Sequence, residues 1–246
     1  MSKYKCLIFD IDNTILNYDA CAASSLKALL EKYDIQYTNE IENLFRDICY
    51  KLWKAFDLNM LNDEGIRKNY HQLFDLYNYK RFEVFCEHMK YSSLNDTNPK
   101  ILSDEYIDIF NTTRIYENCA VEILKKTSKT HILAAATNGL SDSQRKRIQP
   151  VEQYLSHLFI SEEMNCVKPM KEFYDYMLHK MNLNNTDCLF IGDLYTTDIV
   201  GALNANMDAC WYRANGRNSE NWLEASTNYD ENIPVIDSLD KILDYI

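Results

Sequence analysis

The chain has 246 residues, enough for one domain with a full core or for a core domain carrying a smaller insertion. Its 46% hydrophobic content is ordinary for a globular protein and argues against disorder. With 26 basic against 37 acidic residues the formal net charge is −11, which argues against a nucleic-acid polymer or an anionic membrane as the main partner. A small anionic substrate stays compatible with that balance, because a local metal ion or a few amides override the global field.

In chain order, the first feature is an apolar run of four residues, Cys6 to Phe9, that stops at Asp10. It is too short for a signal-peptide core or a membrane span, and no later stretch is long enough, so a cytoplasmic location is expected. From about Leu16 to about Thr112 the pattern is helical. Ala22, Leu26, Leu29, Leu30 and Tyr33 share one face, and Ile41, Leu44, Phe45, Ile48, Cys49, Leu52, Trp53 and Phe56 follow the i, i+3, i+4, i+7 rule. Beyond it, short apolar runs alternate with helical stretches. Val121, Leu124 and the stem of Lys125 precede the run Ile132–Ala136, which ends at Thr137. Leu158–Ile160 runs into Ser161-Glu162, and a helical face of Phe173, Met177, Leu178 and Met181 follows. Leu189–Ile191 ends at Gly192-Asp193, and Ala209–Tyr212 is a further strand candidate.

Continuous apolar runs suit strands buried on both faces of a parallel sheet. Strands alternating with helices predict an α/β fold, a Rossmann-like doubly wound parallel sheet, here interrupted by an all-helical insertion. The expected boundaries are 1–16 and 113–246 for the α/β core and 17–112 for the insertion. In such sheets ligands bind beyond the carboxyl ends of the strands, where Asp10, Thr137 and Asp193 would sit. Five glycines and four prolines leave room only for short linkers. The eight cysteines form no C-x-x-C pair and the five histidines no H-E-x-x-H motif, so reduced structural thiols are expected and no zinc site is visible.

Four stretches carry candidate chemistry. In Asp10-Ile11-Asp12-Asn13-Thr14 the two acids, at i and i+2 of an extended chain, point the same way. One carboxylate of such a pair can attack phosphorus and the other can move the proton; a capped turn at a strand end is the alternative. Thr137-Asn138-Gly139 can cradle a phosphate through a hydroxyl and strand-end amides, with an ordinary Asn-Gly turn as the alternative. Ser141 with Gln144 fits a capping box, so a helix is expected to start there. Lys168, before Pro169, can neutralise phosphate oxygens, although most lysines are solvated surface residues. In Gly192-Asp193-Leu194-Tyr195-Thr196-Thr197-Asp198 the strand delivers Asp193 beside Asp10, and Asp198 opens the next helix. Mg²⁺ takes one or two carboxylates with waters and substrate phosphate; a helix-capping acid is the other reading of Asp198, compatible with the first. Nucleophile, proton donor, metal acids and phosphate clamp are what phosphate monoester hydrolysis needs, a reaction that enzymes accelerate by up to ~10²¹-fold.

Together these residues resemble the haloacid dehalogenase-like (HAD) hydrolase superfamily, subfamily I. Asp10, Asp12 and Thr14 match its first motif, Thr137 its second, Lys168 its third, and Asp193 with Asp198 its fourth; the insertion looks like its helical C1 cap, which selects substrates. The stretches DIDNTILNYD, TNGL, ISEEMNCVKP and GDLYTTDIVGALNANMDACWY, with the pair Leu52-Trp53, look like the bacterial YjjG-type pyrimidine 5′-nucleotidases. The resemblance implies a Mg²⁺-dependent phosphatase with Asp10 as nucleophile, Asp12 as acid/base, and Thr137, Asn138 and Lys168 on the phosphate. It also implies Mg²⁺ on Asp10, the Asp12 carbonyl and Asp193, with Asp198 direct or through water. Four positions depart from the family pattern: Asn118-Cys119 in place of Pro-Gly, Leu194 in place of a small polar residue, and Asn206 in place of Gly. Trp53, Tyr50 and Tyr18 are candidates for stacking on a nucleobase, and membership of Trp53 in its own hydrophobic stripe is the competing explanation. The expected partner is a small phosphorylated substrate, a nucleotide first, and the protein itself is expected to be a monomer or homodimer. A phosphatase or mutase for a sugar phosphate or phosphoglycolate is the alternative, and a non-catalytic phosphate-sensing module a third reading. A dehalogenase would leave Asp12 and the metal acids without a clear task.

Overall fold

The computed structural model describes residues 3–58, 60, 63–89, 94, 96–214 and 230–246. The chain divides into two units, one formed by Met1–Tyr18 with Ile115–Ile246 and the other by Asp19–Arg114.

The first unit is built on six parallel strands in the order β3-β2-β1-β4-β5-β6. They are β1 (Cys6–Phe9), β2 (Ile132–Thr137), β3 (His157–Ile160), β4 (Cys188–Gly192), β5 (Asp208–Tyr212) and β6 (Val235–Ile236). The first five lie where the apolar runs predict them. Alternate side chains divide between two cores, as a two-residue period requires. Leu7, Phe9, Leu133 and Ile191 pack with Ala120, Ile123 and Leu124 on one face; Cys6, Ile8, Ala134 and Phe190 pack with Phe173, Met177 and Met181 on the other. This burial on both sides is what made the strands continuous hydrophobic runs rather than alternating ones.

Register then places the chemistry. Phe9 is level with Ala135 on one side and with Ile191 on the other. Asp10 therefore leaves β1 level with Ala136 and Gly192, and Thr137 and Asp193 stand one step further along. The chain leaves β1 toward β2 and β3 and returns to β4 on its other side, so β1 is a topological switch point, where such sheets bind ligands.

The second unit, Asp19–Arg114, holds helices and no strand among its described residues. They are α1 (Tyr18–Lys32, its first residue in the other unit), α2 (Asn39–Ala55), α3 (Glu64–His88) and α4 (Pro99–Thr112). Local chemistry starts three of them: Thr38, Asp63 and Asn98 accept hydrogen bonds from Ile41, Ile66 and Lys100 main-chain N–H groups, and Pro99 takes the first turn of α4. The core of this unit is aromatic. Phe45 lies 5.2, 5.1 and 5.6 Å from the rings of Phe82, Phe85 and Tyr106, and the buried Arg81 guanidinium sits 4.7 Å from the Tyr106 ring. No helix of the described residues is long and apolar enough to cross a membrane.

Back in the first unit, α5 (Ala120–Thr127), α6 (Ser141–Ile148), α7 (Ser161–Met164), α8 (Lys171–Met181) and α9 (Val200–Asn204) connect the strands. Two of the departures from the family pattern occupy the left-handed region that glycine favours, Cys119 at φ 61° and Asn206 at φ 54°. Asn accepts that conformation more easily than Cys does.

Gly201, in α9, carries a packing constraint. A Cβ there would lie 2.3 Å from the hydroxyl of Tyr174, which is fully buried and donates at 2.6 Å to the Thr197 carbonyl. Ala for Gly inside a helix ordinarily gains about 1 kcal/mol; overpacking a rigid ring costs about 1–3 kcal/mol. Gly201→Ala is therefore expected to destabilise the protein, read as a lower midpoint in urea unfolding. A raised midpoint would show that Tyr174 can move aside.

Candidate active site

The three strands β1, β2 and β4 end in Asp10, Thr137 and Asp193, and the loop between α7 and α8 brings Lys168 to the same rim. Lys168 is 2% exposed, so the surface reading is ruled out. Its ammonium donates to Asp10 Oδ1 at 2.6 Å, Asp198 Oδ1 at 2.7 Å and the Ala136 carbonyl at 3.0 Å, which uses all three protons. Burial works against this charge, yet Asp10 and Asp198 outweigh it and hold the Lys168 pKa above its ordinary value. Burial likewise pushes the Asp10 carboxyl up to about 7 against the pull of Lys168, with Asp198 and Asp12 adding to the rise.

Asp10, Asp193 and Asp198 are all buried, and a carboxylate oxygen from each lies within 4.8 Å of the other two. At an effective dielectric of about 20, each such pair of charges repels by at least roughly 3 kcal/mol. One ammonium faces three carboxylates, so the set carries excess negative charge on hard oxygen donors. Charge and donor type together fit a divalent cation of the Mg²⁺ class.

Main-chain packing fixes where these acids stand. Residues Tyr195–Ile199 form a single π-helical turn, a feature that often marks functional sites. Within it Asp198 Oδ2 accepts the Leu194 N–H at 3.0 Å, so Asp198 caps the turn while its other oxygen meets Lys168. Tyr174 pins the turn through Thr197. A Cβ at Gly192 would fall 2.4 Å from Asp198 Oδ2, so glycine is the residue that lets this carboxylate approach the strand. The indole N–H of Trp211 holds the Asp193 carbonyl at 2.8 Å.

Thr137 is buried at the end of β2. The Asn138 side chain is engaged in both directions with the main chain of Lys168, donating at 2.8 Å to its carbonyl and accepting its N–H at 2.8 Å. The Gly139 N–H goes to Ser161 Oγ at 3.1 Å. This turn therefore anchors the Lys168 loop as well as presenting Thr137. The expected capping box at Ser141 does not form. α6 does begin at Ser141, but Leu140 stands at the cap position without a side-chain bond, and the Ser141 N–H is taken by Glu162 Oε2 at 2.6 Å. Gln144 instead turns its amide to Asp12 Oδ2 at 2.8 Å, and Arg147 donates to Asp12 Oδ1 at 2.5 Å. Sequence reasoning missed Arg147, Tyr174 and Trp211 altogether. In the helical unit, Trp53 is half-buried and meets Phe74 and Tyr77 edge-on at 6.0 and 5.6 Å, so it does belong to an aromatic cluster. Lys54 lies over the Tyr50 ring, and Arg147 over that of Tyr18.

A doubly wound sheet that gathers three buried acids and a lysine at its switch point has the site of an α/β enzyme with donors suited to a divalent cation. The chain belongs to the haloacid dehalogenase-like hydrolase family, whose sequence model matches residues 7–212. It is 29% identical over 215 residues to the HAD-hydrolase YfnB of Bacillus subtilis, covering 86% of this chain and 85% of that one. A crystal structure of YfnB bound to magnesium superposes with a TM-score of 0.76 at 25% identity, covering 99% of this chain and 98% of that one. The pyrimidine 5′-nucleotidases PynA of Streptococcus pneumoniae and YjjG of Escherichia coli are 26% and 24% identical. They cover 97% and 87% of this chain and 96% and 88% of their own lengths.

Removing the lysine isolates two buried carboxylates, a change that costs about 3–5 kcal/mol in comparable pairs. Lys168→Met is expected to lose stability of that order in urea unfolding with no divalent cation added. A loss below about 1 kcal/mol would mean that Asp10 and Asp198 are solvated rather than held by the ammonium.

Proposed function

We propose that this hydrolase cleaves phosphate monoesters through an aspartyl-phosphate on Asp10, with Mg²⁺ held by Asp10, Asp193 and the Asp12 carbonyl and by Asp198 directly or through water. The observation that carries this reading is the buried trio Asp10, Asp193 and Asp198 at the switch point of the sheet, with one ammonium bridging Asp10 and Asp198. Bound there, Mg²⁺ supplies charge neutralisation for the acids and for the oxygens of the phosphoryl group. The chain's own residues do the rest. An oxygen of Asp10 attacks phosphorus as the ester oxygen departs with a proton from Asp12. Asp12 then takes a proton from the water that attacks the aspartyl-phosphate, which frees inorganic phosphate and restores Asp10. The Thr137 hydroxyl holds one phosphoryl oxygen, Lys168 holds another by giving up its bond to the Ala136 carbonyl, and Lys168 also fixes Asp10 in line.

For the substrate we favour a pyrimidine nucleoside 5′-monophosphate, on the strength of similarity to PynA and YjjG along most of the chain. The helical unit would act as the substrate-selecting cap, with Trp53 offering its open part to the base. A sugar phosphate or phosphoglycolate is the second reading: Trp53 is already packed against Phe74 and Tyr77, which weakens the case for a base stack. Eight cysteines that form no disulfide suit the reducing cytoplasm.

Asp10→Asn is expected to lower kcat by about 10⁴-fold or more while far-UV circular dichroism and the unfolding midpoint stay near wild type. Chelation of divalent cations with EDTA should also stop turnover, and added Mg²⁺ should restore it. Full activity in Asp10→Asn would remove the assigned nucleophile. A substrate panel with Mg²⁺, comparing dUMP, dTMP and UMP with ribose 5-phosphate and phosphoglycolate, decides between the two substrate readings. The nucleotidase reading requires the highest kcat/KM on a pyrimidine nucleotide, and a higher value on a sugar phosphate replaces it with the second.

A further inference from the structure

Helix α6 has the sequence SDSQRKRI, and its buried residues are Gln144, Arg147 and Ile148. A helix lying on a core is expected to bury an apolar stripe; here two of the three inward positions are polar, and one is an arginine only 1% exposed. Both reach the same target. Gln144 Nε2 donates to one oxygen of Asp12 at 2.8 Å and Arg147 donates to the other at 2.5 Å, across 132 and 135 residues of chain. The Asp12 side chain itself is 28% exposed, so its carboxylate is held from behind while remaining open to a ligand. Gln144 Oε1 is buried without a partner among the described residues, a cost of about 1–3 kcal/mol that a purely structural glutamine would not carry. Its amide also lies over the phosphate-loop turn, where a Cβ on Gly139 would meet it at 2.7 Å.

We propose that Gln144 and Arg147 are positioning residues that aim Asp12 at the oxygen of the departing group. The inference rests on the acid/base role given to Asp12 above. As Asp10 Oδ bonds to phosphorus and the ester P–O bond breaks, the leaving oxygen takes the proton from Asp12. The carboxylate left behind has two oxygens, and each meets one of the fixed N–H donors. The spacing i and i+3 puts the two donors on one helix face, directly after the Thr137-Asn138-Gly139 turn, so one rigid element serves both the phosphate and the acid.

A misaimed acid matters only when the leaving group needs a proton. The test compares kcat/KM, which reports the first phosphoryl transfer, for phenyl phosphate and 2,4-dinitrophenyl phosphate with Mg²⁺. Phenoxide is a poor leaving group that needs the proton; dinitrophenoxide departs without one. Arg147→Met and Gln144→Leu are each expected to lose about 10²-fold on phenyl phosphate and less than about 5-fold on the dinitrophenyl ester, and Arg147→Lys to recover part of the loss. In an Asp12→Asn background, Arg147→Met should cost nothing further on phenyl phosphate. Equal losses on both esters, no loss on either, or a further loss in the Asp12→Asn background would overturn the proposal. Gln144→Leu carries the same comparison if Arg147→Met does not fold. The underlying reading fails separately: Asp12→Asn losing equally on both esters would remove the acid role itself.

Discussion

The ammonium of Lys168 is the interaction on which the site depends. A carboxylate moved out of water costs several kcal/mol unless it is paired and hydrogen-bonded, and this rim buries three of them. Lys168 binds Asp10 and Asp198 together and spends its third proton on the Ala136 carbonyl, so it ties the ends of β1 and β2 to the π-helical turn after β4. The register that makes this possible is set by apolar residues, with Phe9 pairing level with Ala135 and Ile191. A one-residue slip in either pair would turn each side chain of the shifted strand to the opposite face. The apolar sheet thus fixes charged atoms to within hydrogen-bond tolerance.

Five of the six strands were legible because burial on both faces leaves a plain signature, a short unbroken apolar run ending in a polar residue. β6 was not, since it has two residues and one of them, Val235, is 50% exposed. Asp10, Thr137 and Asp193 could be placed because a strand end says where a side chain goes. Lys168 could not be told from a surface lysine by its neighbours in sequence, and only the meeting of distant segments buries it. Gln144 shows how a local pattern misleads. Ser141 three residues before Gln144 has the form of a capping box, yet Glu162 already satisfies the Ser141 N–H. That leaves the Gln144 amide free to serve a contact 132 residues away. Arg147, in the run Arg145-Lys146-Arg147, has the look of a solvated basic face; Arg145 does pair at the surface with Glu163, whereas Arg147 turns inward.

The acids are held still by contacts of two kinds. Besides Lys168, Asp198 is fixed through its own turn: Leu194 N–H on one oxygen, Gly192 beneath, and the Tyr174 hydroxyl on the preceding carbonyl. Asp193 is fixed by the Trp211 indole on its carbonyl. Tyr174 and Trp211 also belong to the core packed beside β4 and β5. These residues do two jobs with one side chain, an apolar body in the core and a single polar atom at the site. That duality hides them from sequence reading, because each looks like an ordinary core aromatic.

Charge closes the argument about substrate. A chain with a net charge of −11 disfavours encounter with a phosphate dianion at long range. That field is screened within about 8–10 Å at physiological salt, so it bears on the rate of approach and little on affinity at contact. Inside that distance the balance is different. Lys168 and Arg147 are buried cations beside the two acids of the first motif, fixed by the fold rather than recruited from solvent. Both are already bonded to carboxylates, however, so neither offers an uncommitted positive charge to an anion. Binding a dianion at this rim therefore requires positive charge beyond what these two residues supply, and the same deficit that strains the trio Asp10, Asp193 and Asp198 would be relieved by one divalent ion. Such an ion would make the acid-rich rim compatible with an anionic substrate.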